Sequence, residues 1–275
     1  MSITATVPHK TRLEPTEIAP ETFLIHDHQG EGEAPVVVAL NSMVIRAAEP
    51  VVVDTGVASN EQQYLEDVFS IVEPDDIRWL FISHDDVDHT GNLNALAAAA
   101  PNATLIINWF MVERMGASLE VPPHRWRWVD DGDSIDVGDR ILQAVRPPIF
   151  DSPTTRGLYD PTTGVYWSSD SFATPLLTPQ RDVADLDEEF WFGGMATFDN
   201  YISPWLRLVD DTRFQPTVDR VAALDPTVIA GCHTPAITGQ RVHDAIAASR
   251  RSPTAAFPPE PDQAVLDELL GSIGV

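Results

Sequence analysis

The chain has 275 residues, 43% of them hydrophobic, and a net charge of −25. This is enough apolar content for one large core or two fused halves, and such acidity disfavours nucleic acid and anionic membranes as partners. The single cysteine, Cys232, excludes a disulfide framework and a cage of thiolates. With neither a bilayer-length apolar run nor a signal-peptide core in view, a cytoplasmic protein is expected.

Residues 1–20 are polar and proline-punctuated, and predict an arm or a first edge strand. Short strands follow at Phe23 to His26, Val36 to Leu40, Met43 to Arg46 and Val51 to Val53. The last of these ends in the turn Asp54-Thr55-Gly56. Tyr64, Leu65, Val68, Phe69 and Val72 recur at helical spacing. The apolar run Trp79-Leu80-Phe81-Ile82 predicts a buried strand, followed by a polar loop and a helix over 92–100 that Pro101 stops. Ala103 to Ile107 predicts a strand, and a mostly β stretch continues to Val145. Val165 to Ser168 and Thr227 to Ala230 are further strands. Residues 182–224 predict helix, 239–250 an amphipathic helix, and a proline-rich segment leads to a short terminal helix. The expected domain is residues 1–252, with 253–275 as linker and helix. The fold class is α/β, two sheets covered by helices on both outer faces.

The loop after Ile82 reads His84-Asp85-Asp86-Val87-Asp88-His89, with several potential metal ligands within six residues. Sites form at strand ends because a rigid sheet fixes side chains that the loop exposes. Asp151, Asp170 and His233 each follow an apolar stretch and precede a turn in the same way. The gaps are 61 residues from His89 to Asp151, 18 to Asp170 and 62 to His233. Asp85 points away from its neighbours in an extended loop and is expected to be solvated or capping. His26-Asp27-His28 reads as a surface hairpin, and Cys232 as a small buried residue. Trp191, Phe192, Tyr201 and Trp205 read as core aromatics able to wall a pocket.

These residues resemble the metallo-β-lactamase superfamily, and within it the flavodiiron proteins and their free-standing oxygen-binding diiron relatives. Asp86 stands where zinc hydrolases of the superfamily have His and the flavodiiron branch has Glu. Pro148-x-x-Asp151-x-Pro153 and Ser168-Ser169-Asp170-Ser171-Phe172 are similar to that branch's local segments, with Asp151 in place of the branch's His. The resemblance implies an αββα sandwich and two metal ions. One ion would be held by His84, Asp86 and Asp151, the other by Asp88, His89 and His233, with Asp170 bridging. It implies a supporting role for Asp54 beside the ligand loop. A flavodoxin domain and its FMN site are not expected in this chain.

Carboxylate-rich ligation favours iron, with manganese or zinc as alternatives. Three functions fit. The first is a diiron protein that binds, reduces or senses O2 or NO, drawing electrons from an external electron-transfer protein. The second is a dinuclear metallohydrolase acting on a lactone, thioester or phosphodiester. The third, suggested only by Asp151, is a binding module. The oligomeric state stays open, a homodimer included.

Overall fold

The computed structural model describes residues 11–273; the first ten residues of the expected arm lie outside it. Strands β1 (Thr16–Ala19) and β2 (Thr22–Ile25) pair antiparallel. A separate ribbon joins β3 (His28–Gln29) to β4 (Val38–Ala39). Strands β5 (Ser42–Ile45) and β6 (Val51–Val53) rejoin the first sheet. Helix α1 (Glu61–Ile71) then leads to β7 (Trp79–Phe81), α2 (Val87–Thr90) and α3 (Leu93–Ala99) to β8 (Thr104–Ile107), and α4 (Trp109–Met115) to β9 (Trp126–Trp128). Each helical crossover returns the chain in the same direction, so β6 to β9 are parallel. The sheet runs β1-β2-β5-β6-β7-β8-β9.

The second sheet takes its strands in chain order: β10 (Ser134–Asp136), β11 (Ile141–Val145), β12 (Gly157–Asp160), β13 (Val165–Trp167), β14 (Val228–Gly231) and β15 (Thr234–Thr238). Only β13 and β14 are parallel, because α5 (Glu188–Ile202) and α6 (Asp211–Ala222) lie between them. Helix α7 (Gln240–Ser249) follows β15, and α8 (Gln263–Ile273) follows the proline-rich segment.

The strand pattern sorts side chains into three layers of core. Val51, Val53 and Phe81 face Leu158, Val165, Trp167 and Ala230 between the sheets. Val52 and Leu80, one residue out of phase, pack outward among Tyr64, Val68, Leu93 and Leu96. Tyr166 and Ile229 pack on the opposite outer face with Trp191, Phe214 and Val218. Central strands buried on both faces read as continuous apolar runs, and the layers make the expected αββα sandwich. Among the described residues no helix is long and apolar enough to cross a membrane.

Three elements depart from the sequence reading. Helix α4 occupies part of the stretch expected to be β; Asn108 starts it by accepting a hydrogen bond from Phe110 N–H (3.0 Å), and Trp109 and Phe110 are partly exposed, which hides the helical pattern. Strand β12 contains glycine and aspartate, yet all four residues are buried. The His26-Asp27-His28 segment is buried rather than on the surface. The β3–β4 ribbon and the bond from Leu40 N–H to the Asp27 carbonyl fold it inward. Burial, with His28 and Arg181 nearby, lowers His26 to about 4.

The end of the sandwich is tied to α5 through a buried carboxyl. Ser252 Oγ donates to Asp199 Oδ2 at 2.6 Å. Burial raises Asp199 to about 7, against a smaller pull from Ser252. An unfolded aspartate titrates near ~3.9, so from about pH 4 to 7 the folded chain binds the extra proton and stability falls as pH rises. Asp199→Asn should therefore melt roughly 5 °C above the parent at pH 8, with the gap narrowing at pH 4.5. Equal melting temperatures at both pH values in calorimetry would sink this assignment.

Candidate metal centre

The seven expected site residues converge at one edge of the sandwich, where β7, β13 and β14 end. From β7 the chain passes Ser83 into the His84–His89 loop, whose second half winds into α2. Asp170 lies three residues beyond β13, and His233 fills the turn between β14 and β15. His84 Nε2 lies 3.7 Å from Asp86 Oδ2, 3.7 Å from Asp151 Oδ2 and 3.5 Å from Asp170 Oδ2. On the other side, His89 Nε2 is 2.9 Å and His233 Nε2 3.5 Å from Asp170 Oδ1. Asp88 Oδ2 lies 3.2 Å from His233 Nε2 and 3.9 Å from His89 Nε2. Asp170 thus turns one oxygen to each cluster of donors.

The far nitrogens of the imidazoles are held from behind. His89 Nδ1 contacts Asp54 Oδ2 at 2.8 Å, His84 Nδ1 contacts Ser169 Oγ at 3.1 Å, and His233 Nδ1 contacts the Ala39 carbonyl at 2.8 Å. Such partners fix which nitrogen faces inward. The loop itself is clamped by the Asp54-Thr55-Gly56 turn. Thr55 N–H and Oγ1 both donate to the His89 carbonyl (2.7 and 2.9 Å), and Gly91 N–H donates to the Gly56 carbonyl (2.9 Å). A Cβ on Gly91 would sit 2.3 Å from Ala58 N, so only glycine permits this approach.

Charge is crowded here. Burial alone would raise Asp170, but the imidazoles of His84, His89 and His233 outweigh it and hold the carboxyl far below its ordinary range. Burial likewise opposes Asp88, which His233 and His89 bring down to about 2. Asp151 moves the other way, raised by burial and by the neighbouring Asp170 and Asp86 in spite of His84. Burial would lower His84 and His89, yet Cys232, Asp170 and Asp54 leave His89 raised and the surrounding carboxylates leave His84 raised. His84 Nε2 and Asp151 Oδ1 are buried without a hydrogen-bond partner, and the 2.9 Å pair His89 Nε2–Asp170 Oδ1 makes no hydrogen bond of good geometry. Buried polar atoms are almost always satisfied, and such atoms among four carboxylates suit a pair of cations. The donor set therefore fits two metal ions.

One expectation is overturned and several contributors were missed. Asp85 is not solvated: its side chain is 6% exposed and ion-paired with Arg114. It also accepts from Thr154 Oγ1 (2.7 Å) and Ser152 Oγ (3.3 Å), pinning the loop to the Asp151 segment. Trp191 is fully buried in the core, whereas Trp205 is half-buried and donates to the Phe150 carbonyl (2.8 Å), next to Asp151. The ring beside His233 belongs to Phe198, 5.2 Å away between centroids. Ser83, Ser169 and Trp167 also support the site. The serines adjoin ligands in sequence, which is a usable signal. Trp167 acts from the other sheet, and nothing local to it announces that.

A family model described as ODP family beta lactamase matches residues 38–234. The chain is 26% identical over 175 residues to the anaerobic nitric oxide reductase flavorubredoxin of Vibrio vulnificus, covering 62% of this chain and 35% of that protein. The flavodiiron protein from Giardia intestinalis superposes with a TM-score of 0.75 at 19% identity, over 88% of this chain and 60% of that one. The rubredoxin oxygen:oxidoreductase of Desulfovibrio gigas also gives 0.75, at 17% identity, over 86% and 61%. The chain spans about a third to a half of the length of curated relatives it matches.

Because Asp54 orients His89 and braces Ser83, Asp54→Ala is expected to weaken metal binding about 10–100-fold while leaving far-ultraviolet circular dichroism unchanged. Metal content after dialysis against graded chelator reads this out. Parent-like retention would show that the carboxylate does not orient the imidazole.

Proposed function

Since the chain belongs to the ODP family of beta lactamases, within the flavodiiron-like branch of the metallo-β-lactamase fold, we propose that it is a diiron protein. In this reading it binds or reduces O2 or NO with electrons from a separate donor. One observation carries it: Asp170 directs Oδ2 to the His84 cluster and Oδ1 to the His89 and His233 cluster. A carboxylate so placed could bridge two cations. His84, Asp86 and Asp151 would hold one of them, and Asp88, His89 and His233 the other. Four carboxylates and three imidazoles favour iron or manganese over zinc. The names of relatives, a nitric oxide reductase and an oxygen:oxidoreductase, support the same substrates.

A pair of ferrous ions, when bound, supplies electrons and adjacent positions for a diatomic ligand. The protein does the rest. Asp54, Ser169 and the Ala39 carbonyl keep each Nε2 turned inward, which limits the reorganisation needed on binding. The 2+ charges are largely neutralised by Asp86, Asp88, Asp151 and Asp170. Phe198 beside His233 and the buried β13 end keep bulk water from the inner side. The open side is α2, where Asp86 is 48% and Val87 79% exposed. A diatomic ligand enters from there, and an electron donor approaches the same edge.

Iron-loaded protein, reduced without oxygen and mixed with O2 or NO in stopped flow, should change its spectrum and consume the gas when a reductant is supplied. Asp170→Asn should lose at least one metal ion per chain, because a neutral amide is a poor bridge. No consumption, together with turnover of a lactone, thioester or phosphodiester by zinc-loaded protein, would replace this reading with the hydrolase.

A further inference from the structure

Next to the expected ligands lies a donor outside that set. Cys232 directly precedes His233, and its Sγ forms a group with ligand atoms of Asp88, His89 and His233 that all lie within 4.8 Å of one another. The residue is fully buried. Its backbone is fixed on both sides: Cys232 N–H donates to the Ser169 carbonyl and Asn41 N–H donates to the Cys232 carbonyl, each at 2.9 Å. Gly231 allows this path, since a Cβ there would lie 2.7 Å from Ser168 Oγ and from the Ser169 carbonyl. His89 Nε2 and Asp170 Oδ1, buried, 2.9 Å apart and without a hydrogen bond, face the same space.

We propose that Cys232 is a thiolate ligand of the metal ion held by Asp88, His89 and His233. The inference rests on the dinuclear reading above and adds to it. A buried cysteine is often just a small apolar filler, and Cys232 does border the core between the sheets. Filling space does not require Sγ to stand among three ligand atoms. Donors at about 2.0–2.3 Å from one ion are spaced on the order of 3–3.5 Å apart, so the group, with Asp170 as a further donor, closes with side-chain shifts alone. Ligation breaks the S–H bond and releases its proton to solvent. The two metal positions then differ in kind. The His84, Asp86 and Asp151 side is oxygen-rich and hard, whereas the Cys232 side is softer.

The chain has one cysteine, so any protein thiolate signal reports Cys232. Metal-free full-length protein is titrated with Co2+, anaerobically and in thiol-free buffer. Binding of cobalt should raise a near-ultraviolet thiolate-to-cobalt charge-transfer band. Iron-loaded protein should show a sulfur scatterer at about 2.3 Å in X-ray absorption. Cys232→Ser should lose the band and bind its weaker ion on the order of 10-fold less tightly, and Cys232→Ala gives a second variant should serine perturb the turn. Two cobalt ions bound without the band would overturn the Cys232 assignment and leave the diiron reading standing. No cobalt bound would overturn both. One cobalt with the band would support the ligand and count against the metal pair.

Discussion

The Asp54 carboxylate is the constraint on which the centre depends. It is fully buried at the end of β6, with φ at +56°. Ser83 N–H (2.6 Å), Ser83 Oγ (2.6 Å), His89 Nδ1 (2.8 Å) and Trp167 Nε1 (2.9 Å) converge on its two oxygens. A buried charge is tolerated when its lone pairs are filled with good geometry. Here the partners come from Ser83 just beyond β7, from His89 of the ligand loop and from β13 of the opposite sheet. A single side chain thus fixes the loop relative to both sheets. The left-handed backbone at Asp54, and at Ser169 beside Asp170, is the kind of local strain that packed sites retain.

Around this anchor the site trades charge against charge. Asp170 touches three imidazoles, which are its ion-pair partners among the described residues. Asp86, Asp88 and Asp151 add negative charge that three histidines cannot cancel. Cations that bind at this edge would offset the crowded negative charge and add to folding free energy. The strong acidity of the chain is therefore partly local chemistry and not only surface character.

The sequence disclosed the layers well, because strand periodicity and helix spacing are local. Val51-Val52-Val53 and Trp79-Leu80-Phe81-Ile82 show both-face burial in their composition alone. The ligand set was legible for a related reason: its members lie in the loops and turns that follow apolar strands. What escaped is what depends on tertiary contact. Helix α4 begins with exposed aromatics. Strand β12 is buried through its neighbours rather than its composition. His26-Asp27-His28 looks like a polar hairpin, yet its ribbon places the Ala39 carbonyl against His233 Nδ1. The partnership of Trp167 with Asp54 spans 113 positions and has no trace in either segment.

Asp85 shows how a residue that reads as bland can decide geometry. Asp86 and Asp151 are shorter by a methylene, or by a ring, than the Glu and His that the resemblance leads one to expect. A short side chain reaches a shared ion only if its backbone comes closer. Asp85 stands between His84 and Asp86, where the chain bends before α2, and its carboxylate takes partners other than theirs. It grips Thr154 and Ser152 and is itself held by Arg114. From the other side, Trp205 Nε1 and Ser203 Oγ hold the Phe150 carbonyl, both at 2.8 Å. The segment carrying Asp151 is thus drawn to the loop from one end and braced at the other. That places Asp151 Oδ2 at the same 3.7 Å from His84 Nε2 as Asp86 Oδ2. The clamp behind the two carboxylates therefore sets how far each reaches toward His84.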